Sequence, residues 1–139
     1  MSKRGFTLLE LILVVVVVTI LATIAVPNYA KSKRKAIAKE AISNLKLIAA
    51  AERIYRMEND FYVSSCSCSD SATCAAESTG CNALLKLMLN TTNWEYSVSG
   101  STTAVTATAT YKANSTCTYS IASSDFNADP VKSGGSSCP

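Results

Sequence analysis

The sequence predicts an α+β fold, in which one long N-terminal helix packs its C-terminal half on a small antiparallel sheet of three or four strands. Three observations predict it. Residues 6–26 form a hydrophobic run, and residues 29–59 hold no Gly or Pro and space their apolar side chains as a helix does. From Trp94 onward the period changes to two, in Thr-, Val- and Tyr-rich runs. A chain of 139 residues leaves one soluble domain once the hydrophobic run is set aside.

The N-terminal stretch reads Lys3-Arg4-Gly5-Phe6-Thr7-Leu8-Leu9-Glu10 and continues as an aliphatic segment to Val26. As a helix, Phe6 to Val26 spans about 31 Å, enough to cross a hydrocarbon core of ~30 Å. A secretory signal would be cut on the far side of this run, near Ala22, Ala25 and Val26, but Pro27 follows directly and hinders cleavage there. A cut before the run, after Gly5, would keep the helix.

Those eight residues, the aliphatic run and Val26-Pro27-Asn28-Tyr29 resemble the class III leader and first helix of type IV pilins and their pseudopilin relatives. The resemblance is dense over the first third of the chain and looser beyond it. It implies the pilin ladle fold, removal of residues 1–5 by a prepilin peptidase acting between Gly5 and Phe6, and N-methylation of Phe6. It also implies that residues 6–28 serve first as a transmembrane segment and then as the filament core, with residues 29–139 as the head. Many pilins carry a mid-run Gly, whereas this chain has Val14–Thr19 there. Pro27 is expected to interrupt or kink the helix, and the β-branched run ahead of it is open to local unwinding.

Glu10 stands beside that resemblance as a physical oddity. A carboxylate in lipid costs up to a few kcal/mol and needs a partner. A newly exposed Phe6 amine lies one turn away in the same chain, and in a staggered bundle Glu10 of one subunit would meet Phe6 of the next and set the register. The plainer reading is an acid favoured by the helix macrodipole.

Composition narrows the rest. Net charge is +3, and losing Lys3 and Arg4 leaves +1, so no bulk attraction to nucleic acid is expected. Six Cys and no His suit disulfides in an oxidising compartment. The cluster Lys31, Lys33, Arg34, Lys35 and Lys39 would by the positive-inside rule lie in the cytoplasm. The Cys-rich region downstream argues the opposite, and the opposite orientation is preferred. The cluster itself reads as a solvated face, with lipid headgroups or acidic groups of neighbouring subunits as the alternatives.

Within 29–59, Ile37, Ala41, Leu45, Ile48 and Tyr55, flanked by Ile42 and Ala49, make one apolar stripe. The Ser- and Thr-rich segment 60–92 shows no periodicity and reads as a loop stapled by Cys66, Cys68, Cys74 and Cys81, with a short helix at Asn82–Leu89. Cys66 and Cys68 are too close to bridge each other, so each pairs with Cys74 or Cys81. A zinc site is the alternative, but paired C-x₂-C knuckles are missing. Strands follow within 93–122, with turns at Ser99-Gly100-Ser101 and Ala113-Asn114-Ser115. Residues 123–139 have loop composition. Cys117 is left for Cys138, which would close a C-terminal loop of the kind pilins carry. Asp125, Asn127 and Asp129 alternate like calcium ligands, as in the loops of major pseudopilins. Neither the Gly after Asp129 nor the terminal Glu of such a loop is present, since Ser136 stands there, so an Asx-rich turn is the preferred reading and no metal or cofactor is expected.

Without His there is no Ser-His or Cys-His nucleophile, and no Gly-rich phosphate loop or evident carboxylate pair appears. The expected role is structural: a major pilin forming a homopolymer in an extracellular pilus for adhesion, motility or surface interaction. Its partners would be the prepilin peptidase and the inner-membrane assembly machinery, with the membrane as host before assembly. The alternative is a pseudopilin of a type II secretion system in a short periplasmic filament. A DNA-binding minor pilin and conduction along stacked aromatics are disfavoured.

Overall fold

The computed structural model describes residues 6–135 and 138–139. The chain forms two compact units, the first ending at Ala36 and the second running Ile37–Pro139. The long helix α1 spans Leu8–Asn59. It ends where Asp60 adopts a left-handed φ of 68°, with the Asp60 N–H closing on the Arg56 carbonyl at 2.8 Å. Helical geometry continues through Pro27. Proline has no N–H, so the Thr23 carbonyl loses its helical donor there.

In the second unit, Ala41, Leu45, Ile48, Ala49 and Glu52 are buried on one stripe of α1. The stripe covers a five-stranded antiparallel meander in sequential order: β1 (Ser65–Cys68), β2 (Trp94–Gly100), β3 (Val105–Tyr111), β4 (Thr118–Ala122) and β5 (Val131–Ser133). Alternate residues face the core: Trp94, Tyr96 and Val98 from β2, Val105, Ala107 and Ala109 from β3, Tyr119 and Ile121 from β4. Polar tips of the large residues are met by the helix: Trp94 Nε1 donates to the Ile37 carbonyl (2.9 Å), and Asn44 donates to the Tyr96 hydroxyl (2.7 Å). Trp94 also lies edge-on to Tyr119 at 5.6 Å.

Three expectations about the head need correction. The segment 60–92 is not only loop, because β1 comes from it. Ser65-Cys66-Ser67-Cys68 alternates exposed and buried, and pairs with β2 in the register Cys66–Val98 and Cys68–Tyr96. The short helices there are α2 (Ser71–Ala75) and α3 (Cys81–Leu84). The helix expected to reach Leu89 stops early because Lys86 takes a left-handed φ of 52°. The Asn82 side chain then accepts from the Leu89 N–H at 2.9 Å. The C-terminal region supplies β5, paired with β4 through Ser120–Val131.

The first turn of the sheet sits two residues later than expected, and the second lies where expected but is longer. β2 runs through Gly100, and the reversal is made by Ser101, whose hydroxyl accepts from the Ala104 N–H (3.1 Å). Asn114 Oδ1 accepts from the Thr116 N–H (3.1 Å), keeping Thr116 in the turn and out of β4.

All six cysteines are paired: Cys66–Cys81, Cys68–Cys74 and Cys117–Cys138. The first two tie β1 to α3 and α2. The third ties the start of β4 to the chain's last residues. Gly80, between the two short helices, lies directly against the backbone of α2, where a Cβ would overlap the Cys74 carbonyl.

Candidate assembly segment and head contacts

The first unit presents an apolar cylinder. From Leu8 to Val26 every large hydrophobic side chain is exposed, on all sides of the helix. An all-round apolar surface has no stripe to bury against a domain of its own and suits lipid or a bundle of like helices. Its two hydroxyls are hidden in the backbone: Thr19 Oγ1 donates to the Val16 carbonyl (2.8 Å), and Thr23 Oγ1 to the Ile20 carbonyl (2.7 Å).

Thr7 caps this helix, a role that the reading of the sequence missed. Its Oγ1 accepts from the Glu10 N–H at 3.3 Å. The signal was present, because Thr7-Leu8-Leu9-Glu10 has the spacing of a capping box. Glu10 thus occupies the first turn of α1, exposed, with Phe6 also exposed just before the helix. Gly5, with Lys3 and Arg4, lies outside the described residues, as does Ser136.

A second residue passed over is Glu52. It falls on the stripe between Ile48 and Tyr55, and it is fully buried. Its Oε2 accepts from the Val63 N–H at 3.0 Å, while Oε1 has no partner among the described residues. Burial pushes this carboxyl up to about 7, against the opposing effect of the Val63 hydrogen bond. The Tyr96 phenol is likewise pushed up to about 12, chiefly by burial.

The oxygens weighed as calcium ligands are engaged elsewhere. Asp129 pairs with Lys46 (2.6 Å), which holds its carboxyl below the usual range, and Asn127 Oδ1 accepts from Arg53 (2.9 Å). Asp125 Oδ1 accepts from the Ala128 N–H (3.2 Å) inside its own turn. The Arg53 guanidinium also sits 5.6 Å from the centre of the Phe126 ring. These contacts pin the loop after β4 to α1. No cluster of three His, Cys, Asp or Glu able to hold a metal occurs among the described residues.

Comparison with known proteins places the likeness in the N-terminal part. Residues 1–26 match the family model described as the prokaryotic N-terminal methylation motif. Over 60 residues, 43% of the chain, it is 44% identical to the type IV major pilin protein PilA of Myxococcus xanthus, 27% of which is covered. Over 61 residues, 44% of the chain, it is 38% identical to type II secretion system core protein G of Escherichia coli, 42% of which is covered. Core protein G of Aeromonas hydrophila is 40% identical over 65 residues, 45% of the chain and 46% of that protein. The matches thus span less than half the length of each of these relatives. No solved structure matches. The chain carries the prokaryotic N-terminal methylation motif, and its homologues include type IV major pilins and type II secretion core proteins, with neither kinship the stronger.

Proposed function

We propose that this protein is the structural subunit of a filament, a major pilin that polymerises by burying helix 6–28 in the filament core while residues 29–139 form the outward head. The observation that carries this reading is the methylation motif leading into a helix that is apolar and exposed all round, with Glu10 in its first turn. In this reading the prepilin peptidase cuts between Gly5 and Phe6, and Phe6 is then N-methylated. The Phe6 amine and Glu10 of neighbouring subunits neutralise each other inside the bundle, where an unpaired carboxylate would be costly. Pro27, which lacks a helical donor, is the point where α1 adjusts between its two settings. The subunit resides in the inner membrane before assembly and in an extracellular pilus after it. Its role is mechanical, with no catalysis.

The secretion reading has its own support in the core protein G relatives. There the same helix would build a short periplasmic filament. Three disulfides fit either compartment, since the periplasm is oxidising too, and the Ser- and Thr-rich head suits exposure outside the cell and favours the pilus.

Shearing intact cells, followed by electron microscopy and intact mass of the supernatant, separates the two. The pilus reading expects filaments whose subunit begins at methylated Phe6 and weighs six hydrogens less than the reduced chain. A processed chain retained in the envelope would transfer the assignment to the secretion filament. A chain that kept residues 1–5, or lost the apolar run, would overturn both.

A further inference from the structure

Four cations follow the apolar segment directly: Lys31, Lys33, Arg34 and Lys35, all exposed on α1. No Asp or Glu occurs between Glu10 and Glu40, so nothing in that stretch of chain offsets them. The salt bridge found among the described residues lies elsewhere, between Lys46 and Asp129. These charges also oppose the preferred orientation, because the positive-inside rule would hold them in the cytoplasm. A cluster that works against insertion calls for a use on the far side.

Its arrangement points to the kind of partner. With Lys31 at zero on the helical wheel, Lys33 falls near ~200°, Arg34 near ~300° and Lys35 near ~40°. Arg34, Lys31 and Lys35 therefore share an arc of about 100° and Lys33 stands on the far side, all within about 6 Å of rise. A protein groove reads one face of a helix, whereas a bilayer surface surrounds a helix that leaves it. The Cα atoms of the four lie about 8–14 Å beyond Val26, past the about 5–7 Å that the headgroup zone adds to a ~30 Å core, and their long stems can reach back to it. Phe6 to Val26 fills about 31 Å of that core. The exposed Tyr29 then falls at the boundary, where an amphipathic ring is favoured.

We propose that Lys31, Lys33, Arg34 and Lys35 form a collar that binds anionic phospholipid headgroups in the leaflet on the head's side. The collar steadies the subunit in the bilayer until a filament takes it up. Juxtamembrane clusters of this size attract anionic lipid, and salt screens the attraction. The inference rests on the reading that residues 6–28 span a membrane.

The test uses the full chain reconstituted into phosphatidylcholine vesicles, with a trace of spin-labelled phosphatidylglycerol or spin-labelled phosphatidylcholine. Electron spin resonance measures how much of each probe the protein holds at its perimeter. The collar predicts a several-fold preference for phosphatidylglycerol, which falls toward parity in high salt. The quadruple variant K31Q/K33Q/R34Q/K35Q should insert equally well and lose the preference, while K31R/K33R/K35R should keep it. Equal retention of the two probes by inserted chain would overturn the collar and leave the membrane reading intact, and so would a preference that survives in the quadruple Gln variant. Failure of the chain to enter neutral vesicles would overturn both.

Discussion

Glu52 and the Val63 backbone N–H, joined at 3.0 Å in the middle of an otherwise apolar core, hold the chain where it leaves α1 and turns toward the sheet. Only one of the two carboxylate oxygens is used, so ionisation at this site is a liability.

The pH dependence follows from that. The folded carboxyl is pushed up to about 7 from an ordinary 4.5. Below the lower value both states are protonated and nothing is lost. Between the two, only the unfolded chain releases its proton, so stability falls as pH rises through this window and levels off above it, by up to about 3 kcal/mol. Urea titrations of the full chain at pH 4.5 and 8 should show the decline, and Glu52→Gln should abolish it while keeping the acceptor for Val63. Glu52→Ala should instead destabilise by about 1–3 kcal/mol at pH 4.5, because it leaves the N–H buried and unpaired, and by much less or not at all at pH 8, where it also removes the buried charge. An unchanged pH profile in Glu52→Gln would show that Glu52 is not the titrating group.

Disulfide loss should be graded by loop length. Cys117–Cys138 closes 21 residues of sequence separation, Cys66–Cys81 closes 15 and Cys68–Cys74 only 6. Replacing the first pair by Ser is expected to cost about 3 kcal/mol, and replacing the last distinctly less. Thermal melts of the paired variants would check the order, and a reversed order would place the stabilisation in local packing of β1 against α2.

The loop after β4 is held by Arg53 more than by Lys46. The Lys46–Asp129 pair is exposed, so Lys46→Ala should change stability by less than about 1 kcal/mol. Arg53→Ala removes both the Asn127 hydrogen bond and the stack on Phe126. Limited proteolysis within 123–131 should quicken in this variant and hardly at all in Lys46→Ala. Added calcium should leave melting unchanged, and a rise that Asp125→Ala or Asp129→Ala abolishes would mean that the loop rearranges to bind it.

At the other end of the chain, Glu10→Val should leave insertion and processing intact and abolish filament growth. The readout is an N-terminus at Phe6 in membrane fractions without sheared filaments. Normal filaments from this variant would remove Glu10 from the assembly contact.

Much of this fold is legible from spacing. Ile37, Ala41, Leu45 and Ile48 reveal the buried stripe, and the alternation from Trp94 reveals the three central strands. What stayed hidden did so for physical reasons. Glu52 occupies a stripe position but carries a charge, so periodicity passes over it. β1 is as regular as any strand, but its inward residues are cysteines, which a count of Val, Ile and Tyr does not register. β5 is a three-residue edge between Pro130 and Gly134, too short for any pattern. At the N-terminus, Thr7 was overshadowed by the charge three residues later, although the two form one cap. In the acidic loop the preferred Asx-rich turn is seen at Asp125, while the pairing of Asn127 and Asp129 with cations on α1 is a long-range contact that local spacing does not reveal.

The meander's two margins bear on how the proposed polymerisation would stay orderly. A subunit concentrated in a membrane, with a β-sheet open at both sides, invites strand-to-strand stacking. Here the β1 margin is occupied, since Ser67 bridges to Gly80 and two cystines hold the covering turns in place. The β5 margin is only three residues long, carries Lys132 and ends at Gly134, whose φ of 96° breaks the strand. With both borders blunted among the described residues, the sheet is a poor template for a neighbour, and growth of the proposed filament would run through the helix.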